Sequence, residues 1–229
     1  MIIGIACVMS AAAWGQERHI RPEHVVEMPK VSLEKWKNMP EDFGDDEENQ
    51  SQQESAKFAD LYIYEDLYGG YCSWYCGGVI DTVRASSCLK PIGKIDYKAM
   101  NAHDFDHQRV WAEGAAGQGI GEWLEYEFPG RCPRITKVKI LNGYVKTEKA
   151  WQDNSRPKAL RMYYMGRPYA ILDLDDSRTL QIFDVGVLGP HDERAPSWTL
   201  RFEILEVYPG KKYADTVISE LYFDGIDVH

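Results

Sequence analysis

The sequence predicts an all-β fold, an antiparallel sandwich or barrel, and three observations carry that expectation. Apolar residues recur at every second position in one segment after another. Leu124, Tyr126 and Phe128 alternate with Glu125 and Glu127, and Val138 and Ile140 alternate with Lys137 and Lys139. Clusters of Gly, Pro, Asn and Asp punctuate these segments, as hairpin and corner turns require. No stretch shows a long apolar stripe at helical spacing.

In chain order, residues 1–15 of "MIIGIACVMSAAAWGQ" read as a signal peptide, with Ala13-Trp14-Gly15 as the cleavage site. The basic n-region is missing, which is consistent with a start further upstream. The apolar run is too short to span a bilayer. No transmembrane segment is expected after cleavage, and the mature protein is expected outside the cytoplasm, periplasmic or secreted. A lipid anchor at Cys7 is the alternative.

Residues 16–57 form an N-terminal segment and acidic linker. "SLEKWKNMP" is suited to a short helix, and "EDFGDDEENQSQQESAK" lacks the apolar surface to offset its ordering entropy. The extension is therefore expected to be largely disordered. Residues 58–78, dense in Tyr and Trp, read as an aromatic lead-in that packs on the following domain, with partner docking as the alternative. Residues 79–229 then carry the β-sandwich. Its later strands are marked by Leu160, Met162 and Tyr164, by Leu172 and Leu174, by Leu180 and Ile182, and by "TLRFEIL", where Leu200, Phe202 and Ile204 face one way. The glycines of "GAAGQGIGEW" lead into a strand rather than a helix. They suit a turn or bulge and not a dinucleotide loop.

Composition sets the outer limits. The chain has 229 residues and 44% hydrophobic content, enough for one full domain with appendages. With 26 basic and 36 acidic residues, a net charge of −10 argues against nucleic acid and disfavours an anionic membrane surface. Beyond Cys7, the cysteines are Cys72, Cys76, Cys88 and Cys132. In an oxidising compartment they could pair in any of three connectivities, with free buried thiols as the alternative; a zinc site is disfavoured because only Cys72 and Cys76 are close.

Several separated motifs occur in order: "ASSCL", Tyr97, "NAHDFDHQRVWAEG", "GQGIGEWLEYEF", "ILNGYVKTEKAWQDNSRPKAL" and "VYPGKKYADTVISELYF". Together they resemble a discoidin-like (F5/8 type C-like) module. The chain is similar in particular to the glycan-binding, or translocation, domain of bacterial NAD-glycohydrolase toxins, from about residue 80 to about residue 225. The resemblance implies a jelly-roll β-sandwich. It does not reach an NAD-cleaving catalytic domain, so that activity is not carried over.

The excursion from 141 to 160 holds the chemistry that a sugar site needs, aromatic faces beside amides and cations, on loops projecting from a rigid sandwich. Its candidates are Asn142, Tyr144, Lys146, Trp151, Asn154, Arg156 and Lys158, joined by Trp123 on the Glu face of its strand. The competing reading makes the same residues a turn, a cap and a plug at the sandwich end. In "HDFDH", Asp104 and Asp106 are candidates for a structural calcium, against a turn whose Asp side chains bond their own backbone. No other cofactor is implied. Asp215, Thr216, Ser219 and Glu220 suit a structural turn before the last strand. No nucleophile motif is present, and 36 acidic residues make chance carboxylate pairs unremarkable, so an enzyme is not expected. The expected function is an exported, non-catalytic carbohydrate-binding module. A module docking an envelope or surface protein through the same loops is the alternative, and a glycan hydrolase comes third.

Overall fold

A computed structural model describes residues 17–22, 24–25 and 74–228. The alternating segments become strands: β1 (His19–Ile20), β2 (His24–Val25), β3 (Thr82–Ala85), β4 (Trp111–Ala112), β5 (Trp123–Phe128), β6 (Ile135–Asn142), β7 (Arg156–Tyr164), β8 (Arg167–Asp173), β9 (Leu180–Leu188), β10 (Trp198–Tyr208) and β11 (Val217–Gly225). They form a six-stranded sheet in the order β1-β8-β7-β10-β5-β3 and a five-stranded sheet in the order β2-β9-β6-β11-β4. This is the expected discoidin-like jelly-roll sandwich.

The side-chain period of two drives the assembly, because each strand has one face to hide. Leu124, Tyr126 and Phe128 meet Leu200, Phe202 and Ile204 from the neighbouring strand, and all join one core with Val138, Ile140, Leu221 and Phe223 of the other sheet. Leu180 and Ile182 go elsewhere. They pack with Leu141 and Val145 in a smaller cluster under the loop that follows β6, while Phe183 and Val185 take the main core.

Pairing places the strand connections at two ends. Ala85 lies opposite Leu124, Arg156 opposite Tyr208, and Leu180 opposite Leu141. The connections 86–110, 113–122, 143–155, 174–179 and 209–216 therefore project from one end, called the loop end below. A cavity of about 220 Å³ lined in part by Val79, Pro129, Cys132, His191 and Asp227 lies at the other end.

Within the N-terminal segment, residues 19–20 and 24–25 take part in the sandwich. β1 pairs with β8 in parallel, and β2 pairs with β9 antiparallel, so this short stretch straps the outer edges of both sheets. Ile20 is buried in the main core, and Glu17 and His19 reach Arg161 and Asp173, each at 2.9 Å. The helix expected in "SLEKWKNMP", the acidic run 41–57, the signal segment and the aromatics from Phe58 to Tyr71 lie outside the described residues. From the aromatic lead-in, Trp74 is buried against Phe128 and Phe223, and its indole N–H donates to Pro133 O at 3.1 Å. Trp74 thus belongs to the sandwich's core although it precedes residue 79.

The expected disulfide pairing is not seen among the described cysteines: Cys76, Cys88 and Cys132 are free thiols. Cys88 is exposed in a connection of the loop end, and Cys132 is buried in the β5–β6 turn at the other, so chain geometry keeps them apart. Among the described residues, no helix is long and apolar enough to cross a membrane.

Candidate functional site

The loop after β6 is braced from within. Gly143 has φ +82 and sits under Trp151, where an added Cβ would lie 2.8 Å from the indole Cδ1. Only glycine meets both demands. Thr147 caps the helix α1 (Glu148–Asp153) by accepting from Ala150 N at 3.0 Å, as Thr at an N-cap does. At the other end, Asn154 Nδ2 donates to Ala150 O at 2.8 Å. Trp151 Nε1 donates to Asn142 O at 2.9 Å, and the Arg156 guanidinium lies 3.9 Å over its ring. Arg156 itself is buried and donates to Asp176 Oδ1 at 2.5 Å. Asn142, fully buried, donates to Pro157 O at 2.8 Å.

The candidate residues therefore divide. Asn142, Trp151, Asn154 and Arg156 come together, but their polar groups hold the loop's own backbone and Asp176. Lys158 pairs with Glu206 at 2.7 Å on the outer face of the six-stranded sheet. Trp123 lies on that face too, on the Glu side of its strand, with Arg201 stacked 4.4 Å over its ring. Tyr144 and Lys146 remain at the loop end, both half-buried. Tyr144 Oη donates to Gln108 O at 3.0 Å, tying two connections together.

Two tyrosines outside those candidates also stand in loop-end connections. Tyr97 and Tyr144 both pack on Val110, Ala112 and Val217. Burial pushes the Tyr97 hydroxyl pKa up, helped by Asp215 and Tyr213. Burial likewise raises that of Tyr144, helped by Tyr97 and Asp106. Tyr213 is exposed, with Lys212 Nζ 4.7 Å over its ring. Tyr97 and Tyr144, from two connections, thus share one apolar base at the loop end, and Tyr213 stands exposed on a third connection. The sequence signal was present, since Tyr97 and Tyr213 stand in the quoted motifs, but their convergence depends on chain crossings that no local pattern reveals.

The "HDFDH" segment folds over the outer face of β11. Asp104 Oδ1 accepts from Asp106 N and Asp106 Oδ1 accepts from Gln108 N, both at 3.0 Å, so each carboxylate closes a turn on its own backbone. Asp104 Oδ2 also faces Arg109 at 3.0 Å. His103 is buried with Nδ1 2.7 Å from Leu221 O; a carbonyl only accepts, so that nitrogen carries the proton. Burial lowers the His103 pKa to about 4, so the ring is neutral. Beneath lies Glu220, fully buried, with only the Tyr222 side chain and the Phe105 backbone to soften its desolvation. Burial, reinforced by the Asp104 charge, pushes its pKa up to about 9.

Among the described residues no three His, Cys, Asp or Glu side chains gather as a metal-holding group. Calcium, however, accepts backbone carbonyls as readily as carboxylates. Asp104 and Asp106, with the carbonyls of their turn, offer donor chemistry of that kind.

A family model, described as the NAD glycohydrolase translocation F5/8 type C domain, matches residues 74–224. The chain belongs to that family. Among solved structures, it is similar to the CBM32-1 and CBM32-2 domains of Clostridium perfringens ZmpB in complex with GalNAc, at 11% identity and TM-score 0.50, covering 72% of this chain and 38% of that one. It is also similar to CpGH89CBM32-5 from Clostridium perfringens in complex with GalNAc-β-1,3-galactose, at 15% identity and TM-score 0.46, covering 67% of this chain and 100% of that one. At these identities the likeness is one of fold. No curated protein matches the chain. The family match includes Trp74, which is buried in the main core.

Proposed function

We propose that this chain is a carbohydrate-binding module, non-catalytic and working outside the cytoplasm, with its sugar site at the loop end. The observation that carries the reading is the pair Tyr97 and Tyr144, packed on one apolar base at the loop end, with Tyr213 exposed on a third connection of the same end and Asp106 and Asp215 in these connections. Aromatic faces stack on the C–H face of a pyranose while carboxylates accept from its hydroxyls, and a rigid sandwich fixes both. Lys146 stands at the rim of the same connections. Asn142, Trp151, Asn154 and Arg156 hold the platform in shape. The solved neighbours with GalNAc and GalNAc-β-1,3-galactose make terminal N-acetylgalactosamine the first sugar to try. The extracytoplasmic location rests on the apolar N-terminal segment.

A structural calcium belongs to the proposal, held by Asp104 and Asp106 with backbone carbonyls. Its work would be to fix the "HDFDH" turn, and through Gln108 the hydroxyl of Tyr144.

The test is a glycan array probed with the full chain and two variants. Tyr213→Ala is expected to lose sugar binding with an unchanged melting temperature, because the side chain is exposed. Trp151→Ala is expected to cost about 3 kcal/mol of stability, since it empties the space between Gly143 and Arg156. A folded parent that binds no glycan, or a Tyr213→Ala variant that binds as the parent does, would overturn the assignment.

A further inference from the structure

The end of the sandwich opposite the sugar platform has chemistry of its own. Segments distant in sequence wall the cavity of about 220 Å³ there: Gly77 with Val79, the β5–β6 turn, His191, and Asp227 with Val228. His191 and Asp227 sit at φ +50 and +67, a region that is costly for a residue with a Cβ, and they are two of the four described non-glycine residues that adopt it. Such strain persists only where surrounding contacts over-determine it, and it gathers at ligand clamps. Here the contacts are visible. Asp227 is gripped by Arg134 through two bonds, at 2.5 and 3.0 Å, and His191 Nδ1 donates to Cys132 O at 3.3 Å.

A second concavity, of about 370 Å³, adjoins the first and shares Pro129 and Arg131 with it. Asp192 N donates to Gly130 O at 2.9 Å, and a Cβ on Gly130 would lie 2.1 Å from Ala195 O, so this joint between the two walls has room for glycine alone. The two concavities differ in character. Val79, Pro129, Pro133 and Val228 give the first an apolar wall, whereas Glu193 and Ser197 give the second hydrogen-bond acceptors. A pocket for a whole drug-sized molecule holds about 300–1,000 Å³, so the first suits a single small side chain. Arg131, common to both, is exposed and forms no ion pair with a described residue. Arg134 is already committed to Asp227, which leaves Arg131 as the guanidinium that meets a ligand.

We propose that this end binds the C-terminal residue of a peptide chain, with its small apolar side chain in the first concavity and its free carboxylate on Arg131. A planar guanidinium takes a carboxylate through two parallel bonds, which a lysine does not. The backbone N–H groups of the last residues then lie over the second concavity, facing Glu193 and Ser197. A free short-chain acid has the same carboxylate and apolar body but nothing to place there. The site is independent of the sugar reading, because no residue of the loop end takes part in it.

The test is an amide NMR titration of the full chain with three probes: acetyl-Ala-Val, the same dipeptide as its C-terminal amide, and isovalerate. The free-acid dipeptide is expected to shift the amides of Gly77, Val79, Gly130, Arg131 and His191 and to leave those of Tyr97 and Tyr213 in place. The amide form and isovalerate are each expected to bind roughly tenfold more weakly or worse, as is the free-acid dipeptide to Arg131→Gln. Val79→Ser should weaken it severalfold through the apolar wall. Both side chains are exposed, so both variants should keep the parent's melting temperature and glycan profile. Acid and amide binding alike, isovalerate binding as tightly as the dipeptide, or full affinity in Arg131→Gln overturns the proposal. So does a parent whose amides at this end do not move. An unchanged glycan profile in any of these cases leaves the sugar reading standing.

Discussion

Glu220 shows how much a single residue can say about a missing partner. A carboxyl buried among the chain's own atoms, beside two other acids, is unfavourable as a bare anion. Either a proton or a cation must settle it, and the two outcomes differ on heating. A ligand that binds only the folded state at about 100 times its Kd adds about 2.7 kcal/mol. For a domain of this size 1 kcal/mol moves the melting temperature by roughly 2–4 °C. Millimolar calcium is therefore expected to raise the parent's melting temperature by roughly 5–10 °C over its value in chelator. Asp106→Asn should remove that increment, while Glu220→Gln should melt above the parent in chelator at neutral pH, since it folds without the proton that Glu220 takes up. A parent indifferent to calcium would remove the ion from the account. Residue identity was legible in the sequence where a residue's role is local: the Asp104 and Asp106 turns follow from neighbours within a few positions. It was not legible for Arg156. A guanidinium between Asn154 and Lys158 looks like a ligand group until the fold delivers Asp176, from a different connection, to take its charge.

Among the elements, the strap is the one that composition concealed. Strand alternation in β5, β6 and β10 could be read directly, because one face meets the core and the other meets water. β1 and β2 are two residues each, too short for any period to show, and they form only because the edges of β8 and β9 accept them. Their hold is correspondingly local: Ile20 in the core, two ion pairs, and the bond from Ile171 N to Arg18 O at 2.8 Å. Ile20→Asp would place a charge in that apolar site, which costs more than a strap this small is able to return. The expected outcome is release of residues 17–25 with the remaining sandwich intact. Hydrogen exchange should report it, with the Ile171 amide losing protection while amides in the β10–β5 ladder keep theirs. Equal loss in both places would mean that the strap is integral to the fold and not an added clasp.

At the scale of the molecule, both sheets, the strap and the lead-in share one core. Ile20, Trp74, Trp111, Trp198, Phe202 and Phe223 belong to a single contiguous cluster of buried side chains. The sheets have few other means of independent stability, since each strand's apolar face is satisfied only by the opposite sheet. Phe223 touches Trp74, Tyr126, Phe128 and Phe202 at ring separations between 5.0 and 6.4 Å, so separating the sheets would strip all four contacts at once. Unfolding of the sandwich is therefore expected to be cooperative. Near-ultraviolet circular dichroism, which reports the packed rings, and far-ultraviolet circular dichroism, which reports the strands, should follow one denaturant curve with one midpoint. Separate midpoints would show that one sheet outlives the other. In that case the loop end, whose connections run from sheet to sheet, would lose its tyrosine platform before the fold as a whole was lost.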